Sequence, residues 1–177
     1  NGTVRFLNAS YTTFMNLNIN TVTGYGRVVY FDGNNNNITI KKCNITTRVG
    51  TSTSYCGIYN ESGTGSMSNF ITIDSNTITN GYYSIYWYGG SSSTALSGKE
   101  NGNSITNNNL NNFYYYGIYN YYQANSLIEG NTITSSPSSG TVYGIRDWYC
   151  LSSKIRKNII TVDGSFSNYG IYFYRNY

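Results

Sequence analysis

The sequence predicts an all-β fold in which a single chain winds into a solenoid of about six stacked coils. Three observations predict it. An Asn-centred phrase recurs along the chain. Apolar residues and Thr alternate with period two around it, as in Ile38-Thr39-Ile40 and Ile71-Thr72-Ile73, which is the pattern of strands. No long 3.6-residue periodicity is present, and Ala, Leu, Glu and Lys are too few to build helices.

The phrase runs apolar residue, two variable residues, Asn, one more residue, apolar residue, then usually Thr. It occurs at Leu17–Thr23, Ile73–Thr79, Ile105–Asn111, Ile128–Thr134 and Ile155–Thr161, and at Ile40–Thr46 with Cys in the Asn position. The ladder it predicts is Asn20, Cys43, Asn76, Asn108, Asn131 and Asn158. The steps are irregular and average roughly 28 residues, inside the 20–45 range of solenoid repeats. Irregular steps argue against a propeller, and the scarcity of Leu argues against a leucine-rich horseshoe. A second phrase follows: Gly57-Ile58-Tyr59, Gly117-Ile118-Tyr119, Gly144-Ile145-Arg146 and Gly170-Ile171-Tyr172, with looser copies at Val28-Val29-Tyr30 and Ser84-Ile85-Tyr86.

Coils about 4.8 Å apart bring equivalent positions into columns. Three inward columns follow from the register. The first is Leu17, Ile40, Ile73, Ile105, Ile128 and Ile155, and the second is Val22, Ile45, Ile78, Leu110, Ile133 and Ile160. The third is Val29, Ile58, Ile85, Ile118, Ile145 and Ile171. A corner Asn stacked on its copies bonds both neighbours and the turn backbone, which satisfies groups that would cost ~1–3 kcal/mol each if left unpaired. The residues left over, Thr47–Tyr55, Glu61–Asn69, Tyr88–Gly102 and Ser135–Val142, are rich in Gly, Ser and Thr and read as loops.

These residues, notably Asn76-Thr77-Ile78-Thr79, Asn131-Thr132-Ile133-Thr134 and the Gly-Ile-Tyr phrases, resemble the right-handed parallel β-helix repeat family, the pectate-lyase-like superfamily. The resemblance covers about residues 14–177. It implies a right-handed coil and leaves function open, because lyases, hydrolases, tailspikes, adhesins and stalks share the fold.

Composition narrows the function. Of 177 residues, 27 are Asn, 21 Tyr and 19 Gly, and only 10% are charged. The chain has no His, which removes Ser-His-Asp and Cys-His catalysis and His-ligated metals. The net charge of +4 comes without a basic run, so neither nucleic acid nor an anionic membrane is expected as a partner. No apolar stretch approaches the ~20 residues of a membrane span. The opening Asn1-Gly2-Thr3 is polar and does not read as a signal peptide, so either a leader removed from the chain or an excerpt of a longer one is expected. Polar caps are absent, so residues 1–177 are expected to form one domain, either a segment of a longer solenoid or a subunit that stacks end to end. Low charge with abundant Asn, Ser, Thr and Tyr suggests a secreted or cell-surface protein. Three cysteines allow at most one disulfide, with Cys43–Cys56 as an option within one coil. Sequons fall at Asn1, Asn8, Asn37, Asn44 and Asn60.

Two outward columns flank the third Ile column. One is Tyr30, Tyr59, Tyr86, Tyr119, Arg146 and Tyr172, and the other is Asp32, Glu61, Tyr88, Tyr121, Trp148 and Tyr174. Over the last four coils they make a broad aromatic face, with Tyr86, Tyr88, Tyr119, Tyr121, Arg146, Trp148, Tyr172 and Tyr174 as candidate binding residues for a glycan or a protein. The plainer alternative is that the rings stack across coils and stabilise the sheet. For an enzyme the candidates are Asp74, Glu129 and Arg146. Asp74 and Glu129 share an outward column two coils, or roughly 9.6 Å, apart, near the upper end of inverting-glycosidase spacing. Lys41 and Arg156 lie next to them in that column, so two surface salt bridges are the simpler expectation. The adjacent Asp pairs and Gly-His-Gly phrase of family polygalacturonases are missing, and the seven acids are too scattered for the calcium sites of family lyases. No cofactor or metal is expected. An outward Thr array for ice begins at Thr39, Thr72 and Ser104 and is broken by Leu127 and Lys154. The reading is therefore a non-catalytic structural or adhesive β-helix, a stalk or filament segment. A polysaccharide lyase or glycoside hydrolase is the alternative.

Overall fold

The computed structural model describes residues 3–21, 26–62, 66–90 and 96–177. The chain is a parallel β-solenoid of about six turns, and each turn contributes a strand to each of three sheets. Sheet I contains Val4–Leu7, Arg27–Asp32, Cys56–Glu61, Tyr83–Tyr88, Tyr116–Tyr121, Val142–Trp148 and Asn168–Tyr174. Sheet II runs from Ser10–Met15 through Asn35–Lys41, Thr72–Asp74, Ser104–Thr106 and Leu127–Glu129 to Lys154–Arg156. Sheet III holds Asn18–Asn20, Asn44–Thr46, Thr77–Thr79, Asn109–Asn111, Thr132–Ser135 and Ile159–Val162. Among the described residues the only helical element is the 3₁₀ turn Leu96–Gly98, so no helix is long and apolar enough to cross a membrane.

Register places the predicted columns. Ile40, Ile73, Ile105, Ile128 and Ile155 stack on sheet II. Ile45, Ile78, Leu110, Ile133 and Ile160 stack on sheet III. Val29, Ile58, Ile85, Ile118, Ile145 and Ile171 stack on sheet I. The interior is filled further by a sheet I column two residues on, which runs Phe31, Asn60, Trp87, Asn120, Asp147 and Phe173. Phe31 packs against Phe6 and Trp87, each with ring centroids 5.0 Å apart. On the last coil Ile171 and Phe173 are exposed, because no further coil covers them in these residues.

The corner between sheets II and III explains the Asn phrase. The residue before each ladder position has a left-handed backbone: Asn16, Lys42, Ser75, Asn107, Gly130 and Lys157 have φ of 53–68°. That turn aims the next side chain into the corner. Asn76 Nδ2 donates to Ile40 O (3.0 Å) and to Asn108 Oδ1 (3.0 Å), and the Asn76 backbone N–H donates to the same Oδ1 (2.9 Å). Asn108 repeats this with Ile73 O and Asn131, and Asn131 with Ile105 O and Asn158. Cys43 closes the series, its N–H donating to Asn76 Oδ1 at 2.9 Å.

The first coil departs from the expected register by three residues. Asn18 pairs with Asn44 and Asn20 with Thr46, so Leu17 holds the ladder position and Asn20 is exposed outside it. The inward residues are Phe14, opposite Ile40, and Ile19, opposite Ile45. Asn16, Asn18 and Asn20 offer the phrase in more than one frame. Burying Phe14 and Ile19 removes more apolar surface from water than burying Leu17 and Val22, and that decides between frames. Val22 and the Asn1 sequon lie outside the described residues. The Cys43–Cys56 bond does not form: Cys43 is at the II–III corner, Cys56 is on sheet I, and all three thiols are free and buried. Asn60 is also buried and bonded, which removes its sequon from any surface role.

Candidate functional site: the tyrosine face of sheet I

The Gly-Ile phrase builds this face. Pairing along sheet I skips the position of Gly57, Ser84, Gly117 and Gly144 and resumes in the same register, so the ladder is interrupted there without an inserted residue. A Cβ on Gly117 would lie 2.6 Å from Ile133 Cγ2 and 2.5 Å from Gly144 O; one on Gly144 would lie 2.4 Å from Ile160 Cγ2. Two successive residues therefore face inward, glycine then isoleucine, and the residues on either side both face out. Tyr83, Tyr116, Tyr143 and Tyr169 thus form a third outward column beside the two expected from sequence. Strict period-two alternation from the Ile column would instead turn those residues inward.

The expected columns are in register: Tyr59, Tyr86, Tyr119, Arg146 and Tyr172 in one, Glu61, Tyr88, Tyr121, Trp148 and Tyr174 in the other. Their rings cover one another. Tyr59 stacks on Tyr86 and Tyr86 on Tyr119, each with centroids 4.9 Å apart, which matches the coil spacing. Tyr83 stacks on Tyr116 at 5.3 Å, Tyr116 on Tyr119 at 4.9 Å, and Tyr143 on Tyr169 at 4.7 Å. Tyr59, Tyr116 and Tyr119 are consequently buried, while Tyr86, Tyr88, Tyr121, Trp148, Tyr172 and Tyr174 stay partly open. Burial pushes the phenols of Tyr59, Tyr83, Tyr86, Tyr116, Tyr119 and Tyr121 well above their ordinary range. They stay neutral at physiological pH.

Two arginines pack on the rings, Arg27 beside Tyr59 and Arg146 between the coils of Tyr119 and Tyr172. The Arg27 guanidinium sits 3.5 Å above the Tyr59 ring centroid, and the Tyr59 hydroxyl donates to Glu61. Arg146 lies 3.7 Å above the Trp148 ring and donates to the Tyr116 hydroxyl. Arg146 is thus packed among aromatic rings on sheet I.

Asp74 and Glu129 stand on sheet II, one coil either side of Thr106. Asp74 pairs with Lys41 Nζ at 3.2 Å and accepts from Thr106 Oγ1 (2.8 Å) and Asn107 Nδ2 (3.0 Å). Burial alone would raise its pKa, but the bonds from Asn107, Thr106, Lys41 and Ser75 outweigh it and hold the carboxyl below its usual value. Glu129 pairs with Arg156 (2.9 Å) and Lys157 (3.2 Å), which lower its pKa. The two expected ion pairs are present, and Arg146, on a different sheet, does not join the carboxylates.

Two buried acids escaped sequence reasoning. Glu100, on the short strand Glu100–Asn101 paired with Gln123–Ala124, is fully buried. It accepts from Ser68 N (2.7 Å), Trp87 Nε1 (2.7 Å), Asn60 Nδ2 (3.0 Å), Gln123 Nε2 (3.1 Å) and the Ser62 hydroxyl. Asp147 is buried against Asn120 Nδ2 (2.5 Å) and Asn176 Nδ2 (2.6 Å). Burial raises the pKa of both against those bonds. The only sequence signal was the place of Asp147 in the column of Asn60 and Asn120; Glu100 had none, because its partners come from three separate coils.

In comparison with known proteins, no family model, no curated protein and no solved structure matches the chain.

Proposed function

We propose that this protein is a non-catalytic structural or adhesive β-helix of the right-handed, pectate-lyase-like type, secreted or displayed at a cell surface. Its stacked Tyr columns stiffen the rod, and the open rim of the same face contacts a glycan or a protein. The observation that carries the reading is the coil-by-coil stacking of tyrosines on sheet I, three columns wide and packed by Arg27 and Arg146. Sheet stability alone does not require Tyr88, Tyr121, Trp148 and Tyr174 to line up as a partly open aromatic rim, and such rims are favoured where partners bind. The engagement of Asp74 and Glu129 in separate ion pairs counts against paired-carboxylate hydrolysis. The inward residues Ile171 and Phe173 of the last strand of sheet I are exposed, and end-to-end self-association through them is part of the proposal.

The test is incubation with acidic and neutral polysaccharides, with and without calcium, recording both cleavage and retention. Retention without cleavage, lost on Tyr121→Ala and Tyr174→Ala, supports the aromatic rim. New reducing ends or unsaturated products would overturn the non-catalytic reading.

A further inference from the structure

A second recess lies away from the open rim of sheet I, at the corner where sheet III returns to sheet I. Two long connections cross that corner: 47–55, after Asn44–Thr46, and 136–141, after Thr132–Ser135. The two coils between them turn the corner in a few residues, at 80–82 and 112–115. Long loops flanking short ones leave a groove of about 440 Å³, within the ~300–1,000 Å³ range of small-molecule sites. Val49 and Thr51 form one wall, Ser136, Ser138 and Ser139 the other, and Asn112 and Tyr114 the floor.

Each part of the groove has a physical cause. Gly81 permits the short turn at 80–82: its φ is +100°, and a Cβ there would come 2.7 Å from Thr47 Cγ2 and 2.8 Å from Tyr83 O. Tyr114 is braced from below by stacking on Tyr82, 5.5 Å away and 20° from parallel. Its hydroxyl is 2.9 Å from Ser139 Oγ, which ties the floor to the far wall. Asn112 is exposed and donates to Asn80 Oδ1 at 2.6 Å.

The chemistry selects the ligand. Among the described residues none of those lining the groove is charged, so an ion entering it would lose water without gaining a counter-charge. Asn112, Ser136 and Ser139 already have partners within the fold, but each hydroxyl and amide can make further bonds, and a purely apolar ligand would cover that capacity without using it. An uncharged molecule that carries many hydroxyls and one apolar ring face meets both conditions, using Tyr114 as its platform. We propose that this groove binds one or two rings of a neutral saccharide. The ligand class overlaps that of the sheet I face, but no residue is shared with its open rim.

The test is saturation-transfer NMR on the intact chain with maltotriose, cellotriose and mannotriose, and with trigalacturonate as the charged counterpart. At least one neutral trisaccharide is expected to bind, with trigalacturonate failing to do so. Tyr114→Ala, and separately Ser138→Trp, should each weaken binding by about tenfold or more, and Lys154→Ala, at an exposed position on sheet II, should leave it unchanged. Ser138 is exposed, so its replacement fills the groove without touching the core, and far-UV circular dichroism checks the fold of every variant. The proposal is overturned if no neutral trisaccharide binds, if trigalacturonate binds as well, or if binding survives Ser138→Trp. Binding that survives Ser138→Trp but is lost with Tyr121→Ala would sink the groove and leave the sheet I reading standing.

Discussion

Replacing Asn108 by Ala tests whether the corner ladder holds the coils together. Asn108 accepts from the Asn76 N–H (2.9 Å) and Asn76 Nδ2 (3.0 Å), and donates to Ile73 O (2.9 Å) and Asn131 Oδ1 (3.0 Å). Alanine removes all four bonds and strands the buried Asn76 N–H. One orphaned buried donor costs ~1–3 kcal/mol and each further lost bond ~0.5–1.5 kcal/mol, so the expected loss is about 3–6 kcal/mol. Asn158 makes the same kinds of bond on the last coil but is only half-buried, so water replaces part of what Ala removes, and the loss should be about 1–2 kcal/mol. Asn20, which the sequence phrase nominates but the register excludes, should cost less than ~0.5 kcal/mol. Urea unfolding of the three variants, with linear extrapolation to water, measures the differences. A loss at Asn108 below ~1 kcal/mol, or an equal loss at Asn20, would refute the ladder as the source of stability.

Gly117→Ala should destabilise by ~1–3 kcal/mol through the clash with Gly144 O and Ile133, whereas Gly170→Ala, with nothing within 4 Å of its Cβ, should be far milder; thermal unfolding separates them. Ser84 occupies the same column, and its buried hydroxyl has no partner, so Ser84→Ala should stabilise by ~1 kcal/mol in urea titrations. Burial raises the Glu100 and Asp147 carboxyls in the fold above their unfolded values of 4.5 and 3.8. Their contribution is therefore complete below about pH 4 and is lost as pH rises through the raised values, so unfolding free energy should decline upward from there, with a shallower slope in Glu100→Gln. Burial also pushes the Cys56 thiol up to about 12 and the Cys150 thiol higher still, so a thiol reagent should label neither in the native protein and all three cysteines after denaturation.

By itself the sequence determined the class of fold and most of its register. Stacked coils place equal residues at equal positions, so the Ile columns, the ladder from Cys43 to Asn158 and the pairing of Lys41 with Asp74 and Arg156 with Glu129 could be read from spacing. The reading failed where local pattern was degenerate: Asn16, Asn18 and Asn20 allow competing frames, and the burial of Phe14 and Ile19 selects one. Tertiary structure alone decided three further things. The interrupted ladder at Gly57, Gly117 and Gly144 turned Tyr83, Tyr116 and Tyr143 outward, because the inward space beside each glycine is filled by an isoleucine of sheet III or the next coil's backbone. Glu100 was drawn into the interior by donors from Asn60, Ser68, Trp87 and Gln123, far apart in sequence. The groove beneath Val49 and Ser138 exists only because two long loops stand three coils apart with short turns between them, a relation of heights that a linear pattern does not encode.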